Sequence, residues 1–407
     1  MTVRPRHLAL AVTTLAVVVV AAGTVQVTRP VPAPTVRASL PLSYTVLAGG
    51  SEPLPWPTEG QAALYLPHFG WLGSAGSNGS VPIASLTKIM TALVILRSHP
   101  LTLGSPGPTV TVSATDFALY QSELAQGDSV LRVETGEGLT ELQLLEALLL
   151  PSADNIAELL ADWQAGSEPA FVAEMNQLAA SLRLTQTHFA DSSGLDPASV
   201  SSARDLVTLA GVAMSNPVFA SIVVMPEATL PLAGTVHNYN PLLGKDGVVG
   251  IKTGWTSAAL GCLVFASRQT VAGHQVELIG AVTGQPGGPS SGLAAAAAAA
   301  AALIQAAAAG LQWVILPPSG VRVGRLDPAW SAPIGIRAAA TVQLPAPSGA
   351  RLKVSIRFRQ VRAPLRRGAV VGSITVTRPD GSTAREQLIS DRRLADPSWW
   401  WRLYRPW

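Results

Sequence analysis

Ser85 and Lys88 stand one helical turn apart in the run Pro82-Ile83-Ala84-Ser85-Leu86-Thr87-Lys88. A serine hydroxyl attacks poorly until a neighbouring base removes its proton, and a lysine desolvated among apolar residues can be neutral enough to do so. The apolar spacing from Leu86 through Leu96 suits a helix buried on much of its circumference, with Ser85 at its N-terminus. The unpaired N–H groups of such a terminus can stabilise an oxyanion. An isolated Ser-x-x-Lys arises often by chance, and a capping serine beside a solvent-facing lysine is its ordinary explanation.

Two further segments change that balance. The stretch Leu139 to Leu150 predicts an amphipathic to buried helix that Pro151 stops, and Ser152-Ala153-Asp154-Asn155 opens the next helical run. A second serine is thereby exposed on a connection between helices. Residues 247–255 read as an apolar strand ending in Lys252, Thr253, Gly254 and Trp255, where Gly254 lets a substrate approach the backbone closely. Cys262 to Ser267 and Val276 to Val282 predict neighbouring antiparallel strands.

Ser85-x-x-Lys88, the serine motif at 152 and Lys252-Thr253-Gly254, in that order, resemble the three signatures of penicillin-recognising serine enzymes. The wording of Phe171 to Asn176, Thr187 to Phe189, Asp191 to Leu195 and His237 to Leu243 is similar to one branch, the low-molecular-weight D-alanyl-D-alanine carboxypeptidases, over roughly residues 44–285. The resemblance implies a penicillin-binding hydrolase with no metal or organic cofactor. Ser85 would attack the carbonyl between the two terminal D-alanines of a peptidoglycan stem peptide, with Lys88 as base. Ser152 would relay a proton to the leaving amine, and Lys252 and Thr253 would hold the terminal carboxylate. The N–H groups of Ser85 and Trp255 would form the oxyanion hole, and β-lactams would act as inhibitors. One departure stands out: the family's second motif is usually Ser-x-Asn, whereas Asp154 occupies the third place here and Asn155 follows. An amide donates and accepts, an ionised carboxylate only accepts. The expectation is that Asn155, or the two residues jointly, face the cleft; the alternatives are that Asp154 takes the place and contacts Lys88 or Lys252, or that it merely caps its helix.

The implied fold is α/β (α+β): a β-lactamase/transpeptidase-like antiparallel sheet flanked by helices, then a small β-rich domain. Within it a catalytic domain is expected over 44–310, its alanine-rich run 294–309 forming a helix on the sheet. Over 311–395, alternation such as Leu352, Val354, Ile356, Phe358 predicts the β-rich domain. Charge divides the chain the same way. Residues 1–310 carry twelve Lys/Arg and twenty Asp/Glu, residues 311–407 sixteen and five, which points to an anionic membrane or wall polymer as neighbour. Nucleic acid is disfavoured, since the basic region has no nucleic-acid-binding signature.

Arg4 and Arg6 followed by the apolar run from Leu8 to Val27 form an export signal, and both a cleaved signal peptide and a retained anchor over 1–28 fit it. Residues 29–43, punctuated by proline, read as an extended spacer. The tail 396–407 holds four of the ten tryptophans, with Arg402 and Arg405, and reads as a membrane-surface attachment or as an end docked on the β domain. The single cysteine, Cys262, excludes an intrachain disulfide, and His68, His99, His188, His237 and His274 lack ligand spacing. Two other function classes compete: a β-lactamase, whose nearest deacylating-Glu match is Glu227 to Leu230, and a non-catalytic wall-binding protein that keeps the fold.

Overall fold

The computed structural model describes residues 5–49, 53–67, 69–318 and 320–406, so Arg4, His68 and Trp407 lie outside the described residues. The chain divides into two units, one of Gly49–Trp313 with Pro345–Gly349, the other of Met1–Ala48, Val314–Leu344 and Ala350–Trp407.

In the first unit the strands Val248–Thr256, Leu260–Val271, His274–Gln285, Gln61–Leu66 and Gly70–Ala75 form a five-stranded antiparallel sheet in that order. The strand carrying Lys252 is therefore an edge. The expected pairing of the two strands after Lys252 is present as a long hairpin. The helices Pro289–Gly310 and Ala203–Met214 pack on the sheet. Alanine's high propensity makes the first of these a helix, and its buried residues, Ala296, Ala300, Leu303, Ile304 and Ala307 among them, form the stripe that covers apolar strands. At the centre of the unit the helix Lys88–Ser98 is buried from Lys88 through Leu96. The helices Glu141–Leu149, Asp154–Ala165, Glu168–Ser181, Ala203–Met214 and Pro217–Val223 enclose it, and a helix buried on all sides must be apolar on all sides.

The second unit corrects the expected boundaries. Its seven-stranded sheet runs Thr35–Ala38, Arg322–Asp327, Ile334–Ala338, Thr383–Ser390, Val370–Thr377, Ala350–Phe358, Ser43–Ala48. Residues 29–43 are thus not simply a spacer, because Thr35–Ala38 pairs with Arg322–Asp327. Likewise Ser43–Ala48 pairs with Ala350–Phe358 rather than opening the catalytic unit. The physical reason is that an open strand edge pairs with whichever segment folding brings beside it, and the segments just after the N-terminal helix become the two outermost strands. Alternation in Ala350–Phe358 is as the sequence implies, with Leu352, Val354 and Ile356 buried. This unit also contains the N-terminal helix Pro5–Thr28 and a short tail helix, Trp399–Tyr404.

Candidate active site

Ser85 lies on a single 3-10 turn, Ala84–Thr87, that feeds directly into the helix beginning at Lys88. Ala84, immediately before it, has φ 48°, a left-handed conformation that residues with a side chain rarely adopt and that tends to mark functional positions. Tight winding brings the i and i+3 side chains onto the same side. Lys88 Nζ accordingly sits 3.0 Å from Ser85 Oγ. Lys88 is fully buried, and its nitrogen also donates to Asp154 Oδ1 at 2.5 Å and to the Ser193 carbonyl at 2.8 Å. A neutral amine has two N–H donors and one lone pair. With the Asp154 and Ser193 oxygens taking the donors, the lone pair is left for the serine proton.

Ser152, with φ 67°, turns the chain from the helix Glu141–Leu149 into the helix Asp154–Ala165. Asp154 is the first residue of that helix and also accepts from the Ser129 N–H at 3.2 Å. Asn155 points elsewhere. Its Oδ1 accepts from the Leu131 N–H at 2.9 Å and its Nδ2 donates to the Leu131 carbonyl at 3.0 Å. The expectation that Asn155 faces the cleft is therefore corrected. Consecutive helical residues differ by ~100° in direction, and the phase set by Ser152 turns Asp154 onto Lys88 and Asn155 onto the neighbouring chain. Nor is Asp154 merely a cap, since the helix has Ala153 as its N-cap with no side-chain capping bond.

Lys252, Thr253 and Gly254 lie on the edge strand, packed against the Ser85 turn. Gly254 is required there by proximity. A Cβ at this position would stand 3.0 Å from the Ser85 nitrogen and 3.2 Å from both Ala84 Cβ and the Ile83 carbonyl. Lys252 is buried, and its Nζ donates to the Thr253 carbonyl at 3.1 Å. Burial, then the Lys88 charge, push its ammonium down to about 7, with Asp154 opposing. The indole N–H of Trp255 donates to the Gly287 carbonyl at 3.0 Å, fixing the strand end.

Three further residues contribute, to none of which the sequence reading gave a role. Asp191 gathers the loop that presents the Ser193 carbonyl: its Oδ2 accepts from Ser193 Oγ and from the Gly194, Leu195 and Asp196 N–H groups, its Oδ1 from Ser199 Oγ. The turn-forming composition of Asp191-Ser192-Ser193-Gly194, within a stretch that carries the resemblance, hints at this loop but not at its contact with Lys88. Gly194, at φ 91°, lies against the Ala84 carbonyl, where a Cβ would collide. Glu123, from the helix Ala114–Gln126, is a buried carboxyl whose Oε2 has no partner among the described residues. Desolvation, then Asp154, Glu158 and Asp128, push it up to about 8, so it is protonated at neutral pH. Desolvation and Asp154 also raise Asp128. Cys262 is buried in its strand, where desolvation pushes the thiol up to about 12; it packs as a small apolar group.

The chain is similar to known proteins over the segment that holds these residues. The D-alanyl-D-alanine carboxypeptidase family matches residues 72–287, a stretch that includes every residue of the cleft named above. The D-alanyl-D-alanine carboxypeptidase DacB2 of Mycobacterium tuberculosis is 36% identical over 232 residues, covering 55% of this chain and 75% of that protein. The D-alanyl-D-alanine carboxypeptidase of Streptomyces sp. strain K15 is 34% identical over 202 residues, 46% of this chain and 67% of that one. Among solved structures, the Streptomyces K15 DD-transpeptidase superposes with a TM-score of 0.55 at 28% identity, covering 62% of this chain and 98% of that chain. Penicillin binding protein 5 from Haemophilus influenzae shares the fold over 85% of this chain and 100% of its own, at a TM-score of 0.61 and 22% identity. With more than half of its length and all three motifs inside the match, the chain belongs to the D-alanyl-D-alanine carboxypeptidase family.

Proposed function

We propose that the unit containing Gly49–Trp313 removes the terminal D-alanine from peptidoglycan stem peptides ending in D-Ala-D-Ala, through an acyl-enzyme on Ser85. The observation that carries this reading is the Lys88 nitrogen, 3.0 Å from Ser85 Oγ with its other two directions taken by Asp154 and the Ser193 carbonyl. Lys88 takes the serine proton as Oγ attacks the carbonyl between the D-alanines. The tetrahedral oxyanion is held by the Ser85 and Trp255 N–H groups, where preorganised donors lower the barrier. Ser152 passes the proton to the departing amine, the C–N bond breaks, and D-alanine leaves. Water activated along the same route then hydrolyses the ester.

Lys252 and Thr253 supply a cation and a hydroxyl for the substrate's terminal carboxylate. Penicillin carries a carboxylate beside a reactive amide and fits the same donors. Rapid release of penicillin, the mark of a β-lactamase, would need an ionised deacylating base. Glu227, the nearest sequence match, is an exposed side chain on the strand Glu227–Leu230 and lies 3.3 Å from His237 Nδ1. Glu123 is buried but protonated at neutral pH, which makes it a poor base.

The N-terminal helix is long and apolar enough to cross a membrane, which supports reading the enzyme as exported and attached on the extracytoplasmic side, beside its wall substrate. Mass spectrometry of the protein with a D-Ala-D-Ala peptide and with penicillin tests the activity. Release of D-alanine and a persistent penicilloyl adduct on Ser85, both absent in Ser85→Ala, are the expected results. Labelling that survives in Ser85→Ala would overturn the assignment of the nucleophile.

A further inference from the structure

The apolar helix Ala9–Thr28 is 20 residues long with a mean hydropathy of 2.1. At ~1.5 Å per residue it extends ~30 Å, the thickness of a bilayer's hydrocarbon core. The apolar stretch of a cleaved signal is shorter, ~7–15 residues. The helix continues without a break through Ala21, Ala22 and Gly23, the small residues at which cleavage is otherwise expected.

Its far end is covered by the other end of the chain. The last carbonyls of a helix have no partner within it, and this helix has no basic residue in its last turn. Arg405 takes that place. Its Nη2 donates to the carbonyls of Gln26 at 3.3 Å and Arg29 at 2.7 Å, and its Nη1 to that of Pro30 at 3.0 Å. In return Gln26 Nε2 donates to the Arg405 carbonyl at 2.6 Å, and Gln26 is buried by the contact. A guanidinium there also meets the negative end of the helix dipole. One turn earlier, Gly23 faces Leu403, whose Cδ1 would lie 3.7 Å from a Cβ added at that glycine.

The tail helix is therefore two-sided. Trp401 turns inward, edge-on to Trp330 at 5.7 Å with the Arg405 guanidinium over its ring. Trp399, Trp400 and Tyr404 turn outward, 56%, 53% and 75% exposed, as one stack. On the inward side, a cavity of 440 Å³ is lined by Pro30, Pro34, Trp330, Arg362, Asp396 and Arg402. Exposed aromatic rings at the end of an apolar span match the headgroup belt of a bilayer, and neighbouring arginines favour anionic lipid.

We propose that the helix Pro5–Thr28 is retained in the mature protein as a transmembrane anchor, and that the C-terminal segment docks on its outer end. The two chain ends then form a single attachment module, with Trp399, Trp400 and Tyr404 at the headgroup level of an anionic bilayer. This rests on the membrane attachment read above, and the two can fail separately. Arg4 and Arg6 precede the span, so its Thr28 end lies on the extracytoplasmic side.

Three measurements on the full chain test the module, each with penicillin labelling as the control for folding. Intact mass of the protein from an exporting bacterial host is expected to include the apolar segment in the membrane fraction. A membrane-bound protein shortened to Gly23 or beyond overturns retention alone, and a protein recovered only in the soluble fraction overturns attachment as well. In phosphatidylglycerol–phosphatidylcholine vesicles, lipid brominated near the glycerol should quench tryptophan emission, and Trp399→Phe with Trp400→Phe should remove about half of that quenching or more. Equal quenching in both proteins overturns the headgroup placement. Gly23→Cys with Leu403→Cys should give a disulfide-linked peptide pair, and Arg405→Ala in that background should cut the yield several-fold. An undiminished yield overturns the docking role of Arg405.

Discussion

Asp154→Asn separates the role of charge from that of shape. The amide keeps the volume and an acceptor for the Ser129 N–H, and removes the negative charge 2.5 Å from Lys88 Nζ. The gross attraction at that separation is ~6–7 kcal/mol at an effective dielectric of 20. Desolvation of both ions offsets most of it, so the measurable loss comes from the partner left behind, ~3–5 kcal/mol for a broken buried pair. Lys88 keeps the Ser193 carbonyl as an acceptor, which places the expected stability loss at the lower end, about 3 kcal/mol. Losing one charge-assisted orienting bond, ~1.5–3 kcal/mol, should slow acylation of the folded enzyme by roughly 10- to 100-fold. Asn155→Ala should do the opposite. It strips two hydrogen bonds from the Leu131 backbone, costing ~1–3 kcal/mol of stability, and leaves acylation within about threefold of wild type. The assay is stopped-flow acylation with a fluorescent penicillin, corrected for the folded fraction from urea titration. If Asn155→Ala slows the folded enzyme more than Asp154→Asn does, the assignment of the second motif to Asp154 is refuted.

Lys88→Arg keeps the charge but should abolish acylation by penicillin, because a guanidinium does not release its proton in this range; substantial labelling would remove Lys88 from the role of base. Lys252 is pushed down to about 7, so kcat/KM for a D-Ala-D-Ala peptide should fall on the alkaline side with a midpoint near that value, as the free enzyme loses the cation that receives the carboxylate. Asp154 raises Lys252, so in Asp154→Asn the midpoint should move to lower pH; a pH profile flat to about 9 would contradict both statements. The same shift has a stability consequence: between the folded value of about 7 and the ordinary lysine value of 10.5 the unfolded chain binds more protons at Lys252, so its contribution to stability rises with pH across that window. Gly254→Ala places a methyl 3.0 Å from the Ser85 nitrogen and should reduce penicillin acylation at least tenfold while changing thermal stability by only about 1–3 kcal/mol; normal acylation would show that the strand and the serine turn can separate freely.

What the sequence determined by itself is local. Ser85 and Lys88 are one turn apart, so any helical winding brings them together, and the buried circumference from Leu86 to Leu96 follows from composition alone. The strand ending in Lys252 and the hairpin after it are legible for the same reason, since alternation and turn residues act over a few positions. Tertiary structure decided the rest. Whether Asp154 or Asn155 faces Lys88 depends on helix phase, and a single left-handed residue, Ser152, sets that phase. The third partner of Lys88 is a backbone carbonyl more than a hundred residues away, which no side-chain motif encodes. Thr35–Ala38 and Ser43–Ala48 join a sheet whose other strands begin near residue 322, because strand edges accept whatever segment is near in space rather than in sequence. Arg405 likewise finds the end of a helix 375 or more residues before it, since unpaired carbonyls recruit the nearest donor that folding delivers.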